Sequence, residues 1–314
     1  MASRAGHEVR LWSRNAEVVK SINEVRVNSR YLRCTSIPSG VMATGDLGTA
    51  LRDASIAIFA APSHAARELL TAMSSLLDET AIIVSVSKGI EVESGKRISE
   101  IAEEVIGNSY SFVCLSGPSF AKEVVAGHPT AIVAASKHSV PARTVQNDFS
   151  FENLRIYTNT DVIGTEIGGS VKNVMAIAAG MTTGLGFGAN SVAALITRGL
   201  AEITRLARRE GAQVETLMGL AGLGDLVLTC TGTLSRNRFV GEELGKGKTL
   251  AEITAALNEV AEGINTARAV KKLADRAGLE MPITNEVNAV LYDGKPACDA
   301  VAELMNRPLR EEIS

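Results

Sequence analysis

A lysine and an asparagine interrupt an otherwise apolar, small-residue run, Gly168-Gly169-Ser170-Val171-Lys172-Asn173-Val174-Met175-Ala176. A charge in such surroundings costs free energy unless it is paired or used. A buried lysine also has its pKa lowered, which suits it to proton transfer. A lysine that snorkels out of a helix end is the other reading of the same residues. The run continues through a glycine-rich, helix-like tract to Gly184-Leu185-Gly186-Phe187-Gly188-Ala189-Asn190. Further on, Ala221-Gly222-Leu223-Gly224-Asp225-Leu226-Val227-Leu228-Thr229-Cys230 sets a lone acid, Asp225, among apolar residues and glycines that let backbone approach a ligand closely. Ser235-Arg236-Asn237-Arg238 reads as a helix start offering a hydroxyl, a guanidinium and an amide, a set that suits a phosphate dianion. Taken alone, it reads first as an N-cap with solvated arginines.

The elements that must hold these residues fall into two patterns. Short β-rich runs, His7–Trp12, Ile56–Ala60, Ala81–Val86, Ser111–Leu115, Ala131–Ala135 and Leu154–Tyr157, alternate with helical stretches at Ala16–Asn23, Ser63–Leu77, Ser94–Val105 and Val140–Asp148. Several of the runs are continuously apolar, as in a parallel sheet covered on both faces, so the first half reads as a doubly wound α/β domain. From about Asp161 the β runs stop. Segments of helical period take over: Val192–Glu210, Val214–Ala221, Ser235–Leu244, Leu250–Leu257, Asn265–Arg276 and Ile283–Leu291. The expectation is a dinucleotide-binding domain over 1–160 and an all-helical, substrate-binding domain over 161–314. Ligands of doubly wound folds bind outside the carboxyl ends of strands, where Lys88 and Ser116–Ser119 fall. Lys88-Gly89 by itself is also an ordinary strand-to-helix turn.

Bulk properties narrow the function classes. The 314 residues suffice for one large or two ordinary domains, and 46% hydrophobic with 21% charged residues is a globular composition. A net charge of −3 gives no electrostatic reason to expect nucleic acid or an anionic membrane as partner. Cys34, Cys114, Cys230 and Cys298 lie far apart, as do His7, His64, His128 and His138, so no metal is assigned and reduced thiols in a cytoplasmic compartment fit better. Met1 to Glu8 lacks the apolar core of a signal peptide, and the tract Val174–Ala194, broken by glycines, reads as a buried core helix and loop instead of a membrane span.

These segments keep a fixed order with Ser87-Lys88-Gly89, Ser116-Gly117-Pro118-Ser119-Phe120-Ala121-Lys122-Glu123, Ile196-Thr197-Arg198-Gly199-Leu200 and Val260-Ala261-Glu262-Gly263. Together they resemble the NAD(P)-dependent glycerol-3-phosphate dehydrogenases of the bacterial and plastid type. The resemblance runs from about Gly6 to about Arg307; each motif is weak singly, and the ordered set is specific. It implies a Rossmann-type domain followed by a helical one, and an oxidoreductase that interconverts sn-glycerol 3-phosphate and dihydroxyacetone phosphate with NADP or NAD, for phospholipid synthesis. Lys172 is implied as general acid/base, with Lys88 stabilising the substrate oxygen. Lys88, Gly117, Ser119, Lys172, Asp225, Ser235, Arg236 and Asn237 are implied around the substrate. Lys88, Ala121, Arg236, Val260 and Glu262 resemble positions that touch the cofactor, and the role of Glu262 rests wholly on that likeness. Arg14 follows the strand His7–Trp12 where an NAD-selective unit has an acid; it is read as accommodating a 2′-phosphate, or else as a solvated loop arginine. A homodimer is left open.

The chain departs from the family pattern in three places. Thr183 stands where the family has Asp or Glu, and Ser170 where it has Ala or Thr. No G-x-G-x-x-G precedes His7–Trp12, and Met1–Gly6 reads as the tail of the helix that follows such a loop. The expectation is therefore an N-terminally incomplete sheet, from a late chain start or a genuine truncation, with weakened NADP(H) binding. Two other readings stand beside the main one: a truncated non-catalytic remnant, and a dehydrogenase of another small hydroxy acid.

Overall fold

The computed structural model describes residues 1–256, 261–309 and 311–312. The chain divides into two compact units. The first takes in Met1–Ala61, Ala65–Ser87 and Ile98–Val162; the second takes in Pro62–His64, Lys88–Arg97 and Ile163–Ser314.

The first unit alternates strand and helix in the order β1 (Val9–Trp12), α1 (Ala16–Val25), β2 (Val27–Asn28), β3 (Leu32–Ser36), β4 (Val41–Thr44), α2 (Leu47–Leu51), β5 (Ile56–Phe59), α3 (Ala66–Ser74), β6 (Ile82–Ser85), α4 (Ile98–Val105), β7 (Ser111–Ser116), α5 (Ala121–Ala126), β8 (Thr130–Ala135), α6 (Ser139–Phe149) and β9 (Leu154–Asn159). A five-stranded sheet runs β5-β6-β7-β8-β9, while β1 pairs with β4 in a separate parallel ribbon and β2 with β3 in an antiparallel one. Adjacent residues of β6 show why the sheet is covered on both faces. Ile83 packs with Phe59, Leu70 and Ile101 on the side of α3 and α4, while Val84 packs with Val145, Phe149 and Ile156 on the side of α6. A side-chain period of two sends neighbours to opposite faces, so both must be apolar.

The sheet is parallel except between β7 and β8, where Cys114, Leu115 and Ser116 face Ala135, Ala134 and Val133. They are joined through residues 117–129, which include the six-residue α5. The ribbon strand β4 was not foreseen from the sequence. Its four residues follow Pro38-Ser39-Gly40, a turn signal that hides so short a run.

The second unit is helical: α7 (Val162–Gly184), α8 (Ala189–Arg209), α9 (Val214–Met218), α10 (Asp225–Thr231), α11 (Arg236–Gly245), α12 (Leu250–Ala256), α13 (Glu262–Ala277), α14 (Pro282–Tyr292) and α15 (Ala297–Met305). Its axis is α7, buried on every side from Gly164 to Thr182 and forming the core with Ile203, Leu206, Leu226, Val240 and Val270. A helix apolar all round belongs at the centre of a bundle. Glycines weaken a helix by ~1 kcal/mol each. Here they are required: a Cβ on Gly180 or Gly184 would overlap the backbone of α11, and one on Gly168 would lie 2.7 Å from the carbonyl oxygen of Ala221.

The expected helix Val214–Ala221 ends sooner. Gly219 is extended, and a π-helical turn over Leu220–Gly224 leads into α10. No helix among the described residues is long and apolar enough to cross a membrane.

Candidate active site

Three side chains of the second unit meet at one carboxylate. Asp225 is the first residue of α10, directly after the π-helical turn, and is only 1% exposed. Its Oδ1 accepts from Lys172 Nζ at 2.5 Å and its Oδ2 from Lys88 Nζ at 2.6 Å. The lysine of the apolar run therefore does not snorkel: it points inward from α7 and is 6% exposed. The Lys88 side chain keeps 22% of its surface exposed, so the group opens toward solvent on that side.

Burial, the dominant cause, and the neighbouring Lys88 ammonium bring the Lys172 pKa from 10.5 down to about 7, against the opposing pull of Asp225. The direction follows from charge counting. One carboxylate faces two ammoniums, and the more buried lysine is the one whose pKa falls.

Thr229 completes the arrangement and was not foreseen. It lies one turn along α10 from Asp225, donates its hydroxyl proton to the Asp225 carbonyl at 2.6 Å and accepts from Lys172 Nζ at 2.7 Å. A neutral amine has two hydrogens and one lone pair. With the hydrogens held by Asp225 and Thr229, the lone pair has a fixed direction. The i,i+4 spacing of an acid and a hydroxyl on a helix was the available signal. Cys230 beside them is inert as a thiolate, since burial pushes its thiol up to about 12.

A second set of site residues sits at the start of α11. Ser235 is its N-cap, its Oγ accepting from the Arg238 N–H, and Arg236 is exposed at the first helical position. Asn237 is buried and engaged: its Nδ2 donates to Asn173 Oδ1 at 3.0 Å and its Oδ1 accepts from the Gly263 N–H at 2.9 Å. The amide expected around the substrate thus spends these bonds tying α7, α11 and α13 together. The N-cap reading and the phosphate-cradle reading of this segment are both compatible with that geometry, since Arg236 is exposed beside the helix N-terminus.

Glu262, the first residue of α13, is half-buried, and its carboxylate accepts from the Ser63 hydroxyl at 2.6 Å and from the Ser63 N–H at 3.3 Å. Gly89 lies against both. A Cβ there would come within 2.5 Å of Ser63 and 3.0 Å of Glu262, so the residue after Lys88 must be glycine for this packing. Val260 lies outside the described residues.

Gly117, Ser119, Ala121 and Arg14 belong to the first unit. Gly117 has φ +136°, with Ile132 3.0 Å from an added Cβ, and its carbonyl accepts from the Ser119 hydroxyl at 2.9 Å. Ala121 begins α5, and Arg14 is exposed just beyond β1. A cavity of about 340 Å³ in this unit, lined among others by Glu103, Tyr110, Lys137 and His138, contains none of the residues expected at the site. Among the described residues no group of three His, Cys, Asp or Glu side chains is placed to hold a metal ion.

Comparison with known proteins gives a consistent family. Residues 1–142 match the N-terminal part, and residues 161–302 the C-terminal part, described for NAD-dependent glycerol-3-phosphate dehydrogenase. The chain is 52% identical over 316 residues to a glycerol-3-phosphate dehydrogenase (NAD(P)+) of Koribacter versatilis, covering 100% of this chain and 94% of the relative. It is 47% identical to a protein of the same description from a Geobacter species, covering 99% and 94%. The crystal structure of glycerol-3-phosphate dehydrogenase from Coxiella burnetii superposes with a TM-score of 0.94 at 39% identity, over 98% of this chain and 94% of that one.

Proposed function

The chain belongs to the family of NAD-dependent glycerol-3-phosphate dehydrogenases, and we propose that Lys172, held by Asp225 and Thr229 beside Lys88, moves the proton in its reaction. The enzyme interconverts sn-glycerol 3-phosphate and dihydroxyacetone phosphate with NAD or NADP. When bound, the nicotinamide supplies or takes the hydride at C2. In the oxidising direction neutral Lys172 accepts the proton of the C2 hydroxyl as the ketone forms. In the reducing direction its ammonium returns a proton to that oxygen. A group with its pKa near neutrality serves both directions. Lys88, on the other carboxylate oxygen of Asp225, stabilises the oxygen while it carries negative charge.

The exposed Arg236 and the N-terminus of α11 at Ser235 hold the phosphate, with Asn237 as the brace of that helix to α7 and an amide beside the cradle. Gly117 and Ser119 are carried as substrate contacts on the family likeness, and Ala121 and Val260 as cofactor contacts on the same ground. The residues present fit a dinucleotide in two respects. Glu262 is held rigidly by Ser63 beside a glycine that leaves no side chain in the way, and Arg14 offers an uncovered guanidinium for a 2′-phosphate. We assign residues 1–160 to the dinucleotide and 161–314 to the substrate. We place the enzyme in the cytoplasm, as a supplier of glycerol 3-phosphate for phospholipid synthesis, and hold a homodimer as the assembly to test. Neither a non-catalytic remnant nor a dehydrogenase of another hydroxy acid is favoured by the relatives.

The Lys172–Asp225–Lys88 cluster carries this reading. Lys172→Ala is expected to lower kcat by about 10²–10⁴ while the protein still folds and binds cofactor. A variant that kept more than about a tenth of the rate would remove Lys172 as the proton carrier.

A further inference from the structure

Helices α7 and α11 run side by side in the same direction with a constant register. Asn237 bonds Asn173, Gly241 lies on the backbone of Ile177, and Gly245 lies on that of Met181, each pair being 64 residues apart in the chain. Lys172 and Arg236 share that spacing, one residue before the bonded asparagines. The contact is backbone to backbone. A Cβ on Gly241 would overlap the Ile177 carbonyl, and one on Gly245 would sit 2.5 Å from the Met181 carbonyl oxygen and 3.0 Å from Gly184 Cα. From the other side, a Cβ on Gly180 would overlap the Arg238 carbonyl and come within 2.7 Å of Glu242 N. At Gly180, Gly184, Gly241 and Gly245 no side chain separates the two helices, so their spacing there is fixed by main-chain atoms that cannot yield.

We infer that this seam is a ruler: Gly241 and Gly245, with the Asn173–Asn237 bond at the near end, set the distance between the proton carrier and the phosphate cradle, and so the substrate length that the enzyme accepts. The inference rests on the roles given above to Lys172 and to Ser235–Arg236. In dihydroxyacetone phosphate the ketone carbon and the phosphate ester oxygen are separated by one methylene. A substrate with two methylenes needs the cradle farther from Lys172. A rigid seam rejects it, whereas one held by side chains would adapt. Gly241 and Gly245 are positioning residues: they act through the helices that carry Lys172 and Arg236.

The test compares kcat/KM for dihydroxyacetone phosphate with that for 1,4-dihydroxybutan-2-one 4-phosphate, which has one more methylene between ketone and phosphate. In Gly245→Ala the preference for the shorter substrate is expected to fall by about tenfold, because displacement of a positioned group by about 1 Å can cost 10²-fold in rate. Gly188→Ala, with nothing within 4 Å of the added Cβ, should keep the native preference. If Gly245→Ala does not fold, Asn173→Ala removes the near-end bond without adding volume, and the same fall in preference is expected.

A loss shared equally by both substrates, or an unchanged preference, would overturn the ruler. Failure of the underlying roles gives a different result, since Arg236→Ala would then leave KM unaltered. An intact preference in Gly245→Ala together with a raised KM in Arg236→Ala sinks the ruler alone.

Discussion

The segment Lys88–Arg97 carries a cation at each end, and the two ends behave differently. At one end Arg97 meets Glu166 on α7 at 2.9 Å, with the side chains 11% and 4% exposed. At the other, Lys88 meets Asp225, whose carboxylate is already bonded to Lys172. Both clusters are built on a buried carboxylate. Arg97 and Glu166 set one cation against one anion, and the pair serves as an anchor. At Asp225 two ammoniums compete for one anion, and one of them sits at a pKa of about 7. On the proposed role of Lys172, a surplus of one cation over the anion is what sets a proton-transfer group apart from a brace.

Changing the count at either end should expose that distinction. The largest effect is expected for Asp225→Asn, which leaves both lysines without the carboxylate. The Lys172 pKa then falls further, less of the enzyme holds the proton to deliver, and dihydroxyacetone phosphate reduction should fall by about 10²–10⁴ in kcat. A reduction rate within threefold or so of the native one would show that Asp225 does not govern the proton carrier.

Next comes Arg97→Leu. Loss of one partner of a buried ion pair costs about 3–5 kcal/mol, read as a lower midpoint in urea unfolding. The pH dependence of turnover in whatever protein remains folded should be unaltered. A shifted pH profile would mean that the anchor end is electrically coupled to the chemistry.

The sequence marked the buried, paired cluster where a charge stood against its background. Lys172 and Asp225 each interrupt an apolar run, and burial with pairing is the only economical outcome for both. Alternating apolar runs showed the two-sided sheet, and the loss of them beyond about Asp161 showed the helical unit. Other features left no such mark. Thr229 looks like one more β-branched residue of Leu228-Thr229-Cys230 until Asp225 is known to open the helix. The bonds of Asn237 to Asn173 and Gly263 join three helices and show in no local pattern. The antiparallel β8 was hidden because a buried strand reads alike in either direction. The Ser63–Glu262 bond joins residues 199 apart, beyond the reach of any local pattern.

The most direct test of the two-cations-on-one-anion account is the pH profile of glycerol 3-phosphate oxidation in the native enzyme and in Lys88→Met. Oxidation needs Lys172 neutral, so kcat/KM should rise with pH through an inflection near 7 and level off above it. Lys88 lowers the Lys172 pKa and Asp225 raises it, so without Lys88 the carboxylate serves one ammonium and the inflection must move up. An inflection that stays where it was in Lys88→Met, or a native profile still climbing toward the ordinary lysine value of 10.5, would contradict the account.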